Sequence, residues 1–140
     1  MTGVQTCALP ISIELLDYLK EKQIPYTIAT ATGKANLLFY MENLNLNKWF
    51  DMNKIVFDDG SILGKPEPDI YLKAAAKIGI KPEKCIVVED AISGIESAYR
   101  ANIGKIIAIG SKSKYEKLKK LKGVNYVISD FKEFDRNIFL

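Results

Sequence analysis

The chain has 140 residues, 48% hydrophobic and 26% charged, which suits one soluble globular domain with a core of its own and excludes a disordered or fibrous protein. Its 20 basic and 17 acidic residues leave a net charge of only +3, spread too evenly for a nucleic-acid surface, so a small molecule or a protein partner is expected. No apolar run reaches the roughly 20 residues of a membrane span, and with no histidine any acid, base or metal ligand must come from Asp, Glu, Lys, Ser, Thr or Tyr.

The opening stretch MTGVQTCALPIS lacks the positive start and long apolar region of a signal peptide. It resembles an in-frame translation of a sequencing adapter, giving Thr2 through Ile11, with a GTG start giving Met1. On that reading residues 1–12 are non-native, the native chain begins near Ser12 or Ile13, and whatever preceded it is lost. Cys7 then carries no functional weight. It forms no spaced pair with Cys85, so neither a disulfide framework nor a zinc site is expected, and a reducing cytoplasm fits best.

From Ile13 onward helical and strand signals alternate. Leu15, Leu16 and Leu19 share a helical face, with Ser12 as a candidate N-cap. IPYTIAT reads as a strand, and Gly33 with Lys34 opens a second helix whose apolar face is expected to hold Leu37, Leu38, Met41 and Leu44. Trp49 and Phe50 are expected to pack under the loop that follows. KIVF is a short strand, and DDGSILGKPEP is a loop rich in Gly and Pro. Asp69 is expected to N-cap the helix IYLKAAAKIG, which Gly79 ends. CIVVED is an apolar strand ending in two acids, AISGIESAYRAN a helix and KIIAIG another strand, with Cys85 as an ordinary core residue. The tail adds a Lys-rich helix from Tyr115 to Leu121 with a solvated face, the strand NYVIS, and a helical turn near Phe131 to Phe134.

Near-continuous apolar strands alternating with helices predict an α/β domain with a parallel sheet covered on both faces. Ligands bind such sheets beyond the carboxyl ends of the strands. Those ends carry Thr30 with Ala31 and Thr32, then Lys65 in GKPEPD, then Glu89 and Asp90. A hydroxyl, an ammonium and a carboxylate pair are the parts needed to hold a phosphoryl group beside a hard cation. Thr30 and the backbone amides after it can donate to phosphate oxygens. Lys65 can neutralise the transferring group as a point charge. Asp90 offers a hard oxygen to magnesium (Mg2+), with Glu89 ligating directly or through water.

In order, spacing and flanks, IATAT, GKPEPDIYLKAA and VVEDAISGIESAYRA resemble the second, third and fourth motifs of the haloacid dehalogenase superfamily, in the branch that contains β-phosphoglucomutase and phosphoglycolate phosphatase. The resemblance covers nearly everything from Ile13. It implies a three-layer Rossmann-like core in which Thr30 binds the transferring phosphoryl group, Lys65 pairs with that group and with the nucleophile, and Asp90 with Glu89 holds magnesium. Thr32 and Lys34 would face the substrate's second phosphate or its polar body. The implied activity is phosphoryl transfer on a small phosphorylated metabolite, a sugar phosphate, by a cytoplasmic monomer.

The family's first motif, a strand ending D-x-D-G-[TS] that supplies the nucleophile and the general acid/base, does not stand in this sequence. FDDGS, from Phe57 to Ser61, lacks the residue between the acids and sits where the family has a loop, so it is not expected to be catalytic. Residues 13–140 are therefore expected to be the C-terminal part of the core, without its first strand and helical cap. Such a piece should bind magnesium poorly, turn over nothing, and be marginally stable around a central gap in the sheet. Each strand-end residue alone has a plainer reading: a capping hydroxyl for Thr30, a solvated lysine for Lys65, an N-cap for Asp90. Two carboxylates directly after a buried strand are harder to explain without a counter-charge. The alternatives are a receiver-like domain, disfavoured because its acid pair precedes its lysine, and a non-catalytic relative that binds a phosphorylated ligand or a protein.

Overall fold

Gly3–Thr6, the first strand (β1), pairs in parallel with a neighbour on each side and so lies in the middle of the sheet, in a computed structural model that describes residues 3–6 and 13–139. After it come α1 (Ile13–Glu21), β2 (Tyr26–Gly33), α2 (Lys34–Asn43), β3 (Val56–Asp58), α3 (Asp69–Ile78), β4 (Cys85–Glu89), α4 (Ile92–Arg100), β5 (Lys105–Ile109), α5 (Tyr115–Lys119) and β6 (Val124–Ile128). The strand order is β3-β2-β1-β4-β5-β6, and every pairing is parallel. The expected α/β class holds, whereas the expected central gap is filled: the backbone of Gly3–Thr6 supplies the ladder between β2 and β4. Ser12 and Cys7 lie outside the described residues.

Strand periodicity sorts the core into two faces. In β4, Cys85 and Val87 join a cluster with Tyr71 and Ala74 of α3 and Ile95 and Ala98 of α4, while Ile86 and Val88 join Leu15 and Leu19 of α1. β5 divides likewise, Ile106 and Ala108 to the first face and Ile107 to the second. On the α1 side a further cluster joins Leu16, Ile28, Leu37, Met41 and Phe50. Helices therefore cover both faces and make three layers, each fully buried aliphatic side chain contributing roughly 1.5–3 kcal/mol.

Three local expectations are corrected. α2 buries Leu37 and Met41, four residues apart, but leaves Leu38 and Leu44 about half exposed, so its apolar face is narrower than expected. Asp69 is the first helical residue of α3 rather than its cap; Pro68 holds the cap position, and Asp69 Oδ2 instead accepts the Leu63 amide at 3.3 Å. β2 runs to Gly33, so Thr30, Ala31 and Thr32 lie inside it, past an irregularity in its pairing with β3 between Ala29 and Gly33. Gly79 does close α3, at φ 70°, where a residue with a Cβ would be strained. Phe50 is buried edge-on against Tyr26, their ring centroids 5.2 Å apart.

Candidate active site

The alternation that puts Cys85 and Val87 on the α3–α4 face puts Glu89, the last residue of β4, there as well. A carboxylate arriving in an apolar layer must find donors, and Glu89, 1% exposed, finds at least four among the described residues. Its Oε2 accepts Lys65 Nζ at 2.8 Å and the hydroxyl of Tyr71. Its Oε1 accepts the backbone amides of Asp90 and Ala91, each at 3.0 Å, where the chain turns into α4. The space it occupies exists because position 94 has no side chain.

Lys65 reaches this carboxylate from the loop between β3 and α3, with a cis bond to Pro66. The next residue, Glu67, ties the loop to α4: its carbonyl accepts the buried Ser97 hydroxyl at 2.6 Å, and its carboxylate meets Arg100 at 3.1 Å. A cavity of about 140 Å³ at this end of the sheet is lined by Thr30, Ala31, Asp58, Leu63, Gly64 and Lys65, among others. The structure thus brings Thr30 and Ala31 of β2 together with Lys65, and Lys65 with Glu89. Thr30 is half-buried, and its Oγ1 accepts the Thr32 amide at 3.2 Å. Thr32 and Lys34 are not among the lining residues, and Lys34, the first residue of α2, is exposed.

Asp90 follows Glu89 and is exposed. Partial burial of its carboxyl, together with the hydrogen bond and negative charge of Glu89, holds its pKa above the ordinary aspartate value, and Lys65 offsets this only in part. Acids crowded in this way favour a cation between or beside them. Among the described residues, however, no group of three or more Asp, Glu, His or Cys side chains converges on one point. A larger cavity, about 500 Å³, lies against β5 and β6, lined by Lys105, Tyr126, Phe134 and Ile138 among others, and holds none of the strand-end residues. Asp58 and Asp59 of FDDGS close their own turn by accepting the amides of Gly60 and Ser61, though Asp58 also borders the smaller cavity.

Sequence reasoning passed over Tyr71, Gly94 and Ser97. The available signal was spacing: Tyr71, Ala74 and Ala75 share the buried stripe of α3, and a tyrosine on such a stripe must place its hydroxyl on a buried partner.

The family model for haloacid dehalogenase-like hydrolases matches residues 3–102. The chain is 38% identical over 96 residues to a phosphorylated carbohydrates phosphatase of Thermotoga maritima, covering 69% of this chain and 44% of that protein. A family IA, variant 3 hydrolase of Entamoeba histolytica superposes with a TM-score of 0.87 at 41% identity, over 91% of this chain and 57% of that one. The β-phosphoglucomutase of Clostridium difficile superposes with a TM-score of 0.72 at 28% identity, over 89% and 51%. The chain belongs to the haloacid dehalogenase-like hydrolases, and it spans about half the length of these relatives.

Proposed function

We propose that residues 13–140 are the C-terminal part of a magnesium-dependent phosphatase or sugar phosphomutase, that residues 1–12 are non-native, and that the nucleophile and helical cap are encoded ahead of Ile13. The observation that carries this reading is the meeting of Thr30 and Lys65 at one cavity, with Lys65 held on Glu89 at the carboxyl ends of parallel strands. The names of the relatives support a small phosphorylated metabolite, a sugar phosphate, as substrate.

In this reading Thr30, whose oxygen accepts the Thr32 amide, turns its own hydroxyl proton toward a phosphoryl oxygen. Lys65 sets its positive charge against the same group, and Glu89 fixes where that charge sits. The substrate's P–O bond breaks as an aspartate of the first motif takes the phosphorus, and the second acid of that motif protonates the departing oxygen. Asp90, exposed and crowded by Glu89, fits as one carboxylate ligand for magnesium, which when bound would neutralise charge on the phosphoryl oxygens. Glu89 fits less well as a direct ligand, because four donors already occupy its two oxygens. The reading carries a cytoplasmic monomer with it.

The test is to sequence the source DNA upstream of the codon for Ile13, express the extended protein, and measure magnesium-dependent phosphate release from sugar phosphates. A strand ending D-x-D-G-[TS] followed by a helical cap is expected, with release abolished by Lys65→Met. A start codon beside Ile13 and no release from any substrate would overturn the enzyme reading. That outcome would favour a non-catalytic relative that binds a phosphorylated ligand or a protein.

A further inference from the structure

We infer that Tyr71 is a positioning residue for Lys65: its hydroxyl fixes Glu89 Oε2, the atom on which Lys65 is seated, and its ring forms the floor beneath the ammonium. This rests on the phosphoryl-transfer reading for its meaning in catalysis, but its geometry stands apart from that reading. Tyr71 is fully buried in the α3 stripe, and its hydroxyl donates to the same oxygen that accepts Lys65 at 2.8 Å. Lys65 Nζ lies over the Tyr71 ring, 5.5 Å from the centroid, so one side chain meets the lysine both through its π face and through the carboxylate.

The reason for such a device is the length of lysine. Four rotatable methylenes carry the charge out from a loop, so the direction of the carboxylate it meets decides where Nζ sits. Two amides hold Glu89 Oε1, Tyr71 holds Oε2, and the ring excludes one side of the arc. These contacts fix the ammonium, and Lys65 lines the same cavity as Thr30. Lysine placed to within a fraction of an ångström is what charge stabilisation in phosphoryl transfer needs. Tyr71 touches no reacting atom in this scheme; it acts through Glu89.

The experiment compares the 140-residue chain with Tyr71→Phe, which keeps the ring and removes the hydroxyl, by NMR of the Lys65 side chain, assigned from its disappearance in Lys65→Met. In the unmodified chain the two Lys65 Hε protons should resonate separately and be shifted upfield by the ring. In Tyr71→Phe the separation should collapse while the upfield shift and the methyl signals of Ile70, Ala74 and Val87 stay in place. Lys65 signals unchanged in a folded Tyr71→Phe variant would overturn the inference, as would core methyl shifts with no change at Lys65, the mark of a merely structural role. Should that variant not fold, the unmodified chain decides: a cross-peak between the Tyr71 hydroxyl proton and Lys65 Hε supports the inference, and its absence overturns it. Inorganic phosphate titrated into the unmodified chain reads the functional proposal separately, since no response at Thr30 or Lys65 would count against phosphoryl binding while leaving the Tyr71 result intact.

Discussion

A Cβ built on Gly94 would lie 1.9 Å from Oε2 of Glu89 and 2.1 Å from its carboxyl carbon. Glycine at this position of α4 is therefore the room in which the buried carboxylate stands. Alanine in a helix interior ordinarily gains up to about 1 kcal/mol over glycine, but here the added methyl expels Glu89 and breaks its pairing with Lys65. Breaking a buried ion pair costs about 3–5 kcal/mol, so the loss wins. Gly94→Ala should lower the urea midpoint by an amount equivalent to a few kcal/mol. A variant as stable as the parent, with the Lys65–Glu89 contact intact, would show that the backbone yields more easily than supposed.

Lys65 and Glu89 are 12% and 1% exposed, so solvent screens their pairing little. Lys65→Met should destabilise by roughly 3 kcal/mol, because it removes the ammonium that Glu89 Oε2 accepts while leaving the carboxylate buried. Glu89→Gln should cost a similar amount, through the ion pair it breaks. The double variant should cost clearly less than both losses together, with a coupling of about 1–3 kcal/mol. Denaturant titration of all four proteins measures this, and losses additive to within about 0.5 kcal/mol would deny the pair any stabilising role.

The strands that carry the site were legible because each buries side chains on both faces, which writes a continuous apolar run: CIVVE is buried at every position. The acid pair was legible because charge at the end of such a run has few structural explanations, and Lys65 because it stands in GKPEPD, the loop motif whose order and spacing carry the family resemblance. The groups that hold Glu89 and its loop were not, since Tyr71 and Gly94, which shape the place of Glu89, and Ser97, which ties down Glu67, are contributed by helices and acquire their roles only when α3 and α4 pack on one face of β4. β1 was illegible for another reason. GVQT has no apolar run, and its place between β2 and β4 is set by backbone pairing on both edges, a property that side-chain patterns do not encode.

Asp59 gives a pH-dependent test outside the site. Its carboxylate accepts both the amide and the hydroxyl of Ser61 and lies 3.4 Å from Lys73, and these bonds, the Ser61 hydroxyl first, lower its pKa from 3.8 to about 2. A folded-state pKa below the unfolded one means that the turn's contribution is complete above about pH 4 and is lost as the pH falls through 2. Carboxyl 13C titration should find Asp59 with a midpoint near 2, and Ser61→Ala should move that midpoint upward. A parent midpoint at the ordinary aspartate value would show that the turn is not formed in solution.

A chain that starts at Ile13 tests what β1 contributes. Gly3 through Thr6 register with Cys85 through Val88 of β4, and Val4 through Thr6 with Tyr26 through Ile28 of β2, so removing the strand unpairs two inner edges at once. β2 and β4 would then face each other across about 10 Å, twice the usual strand spacing, too far to hydrogen-bond directly. Their freed amides and carbonyls would be buried between two helical layers, each unmet group costing about 1–3 kcal/mol. Against a total stability of about 5–15 kcal/mol for a domain, that loss is decisive. Residues 13–140 alone should therefore melt broadly, bind a hydrophobic dye, and exchange the amides of β2 and β4 early, while the 140-residue chain protects them. A sharp monomeric transition for the shortened chain, with β4 amides still protected, would mean that β2 and β4 can close on each other, and that the sheet needs no strand at its centre to stand.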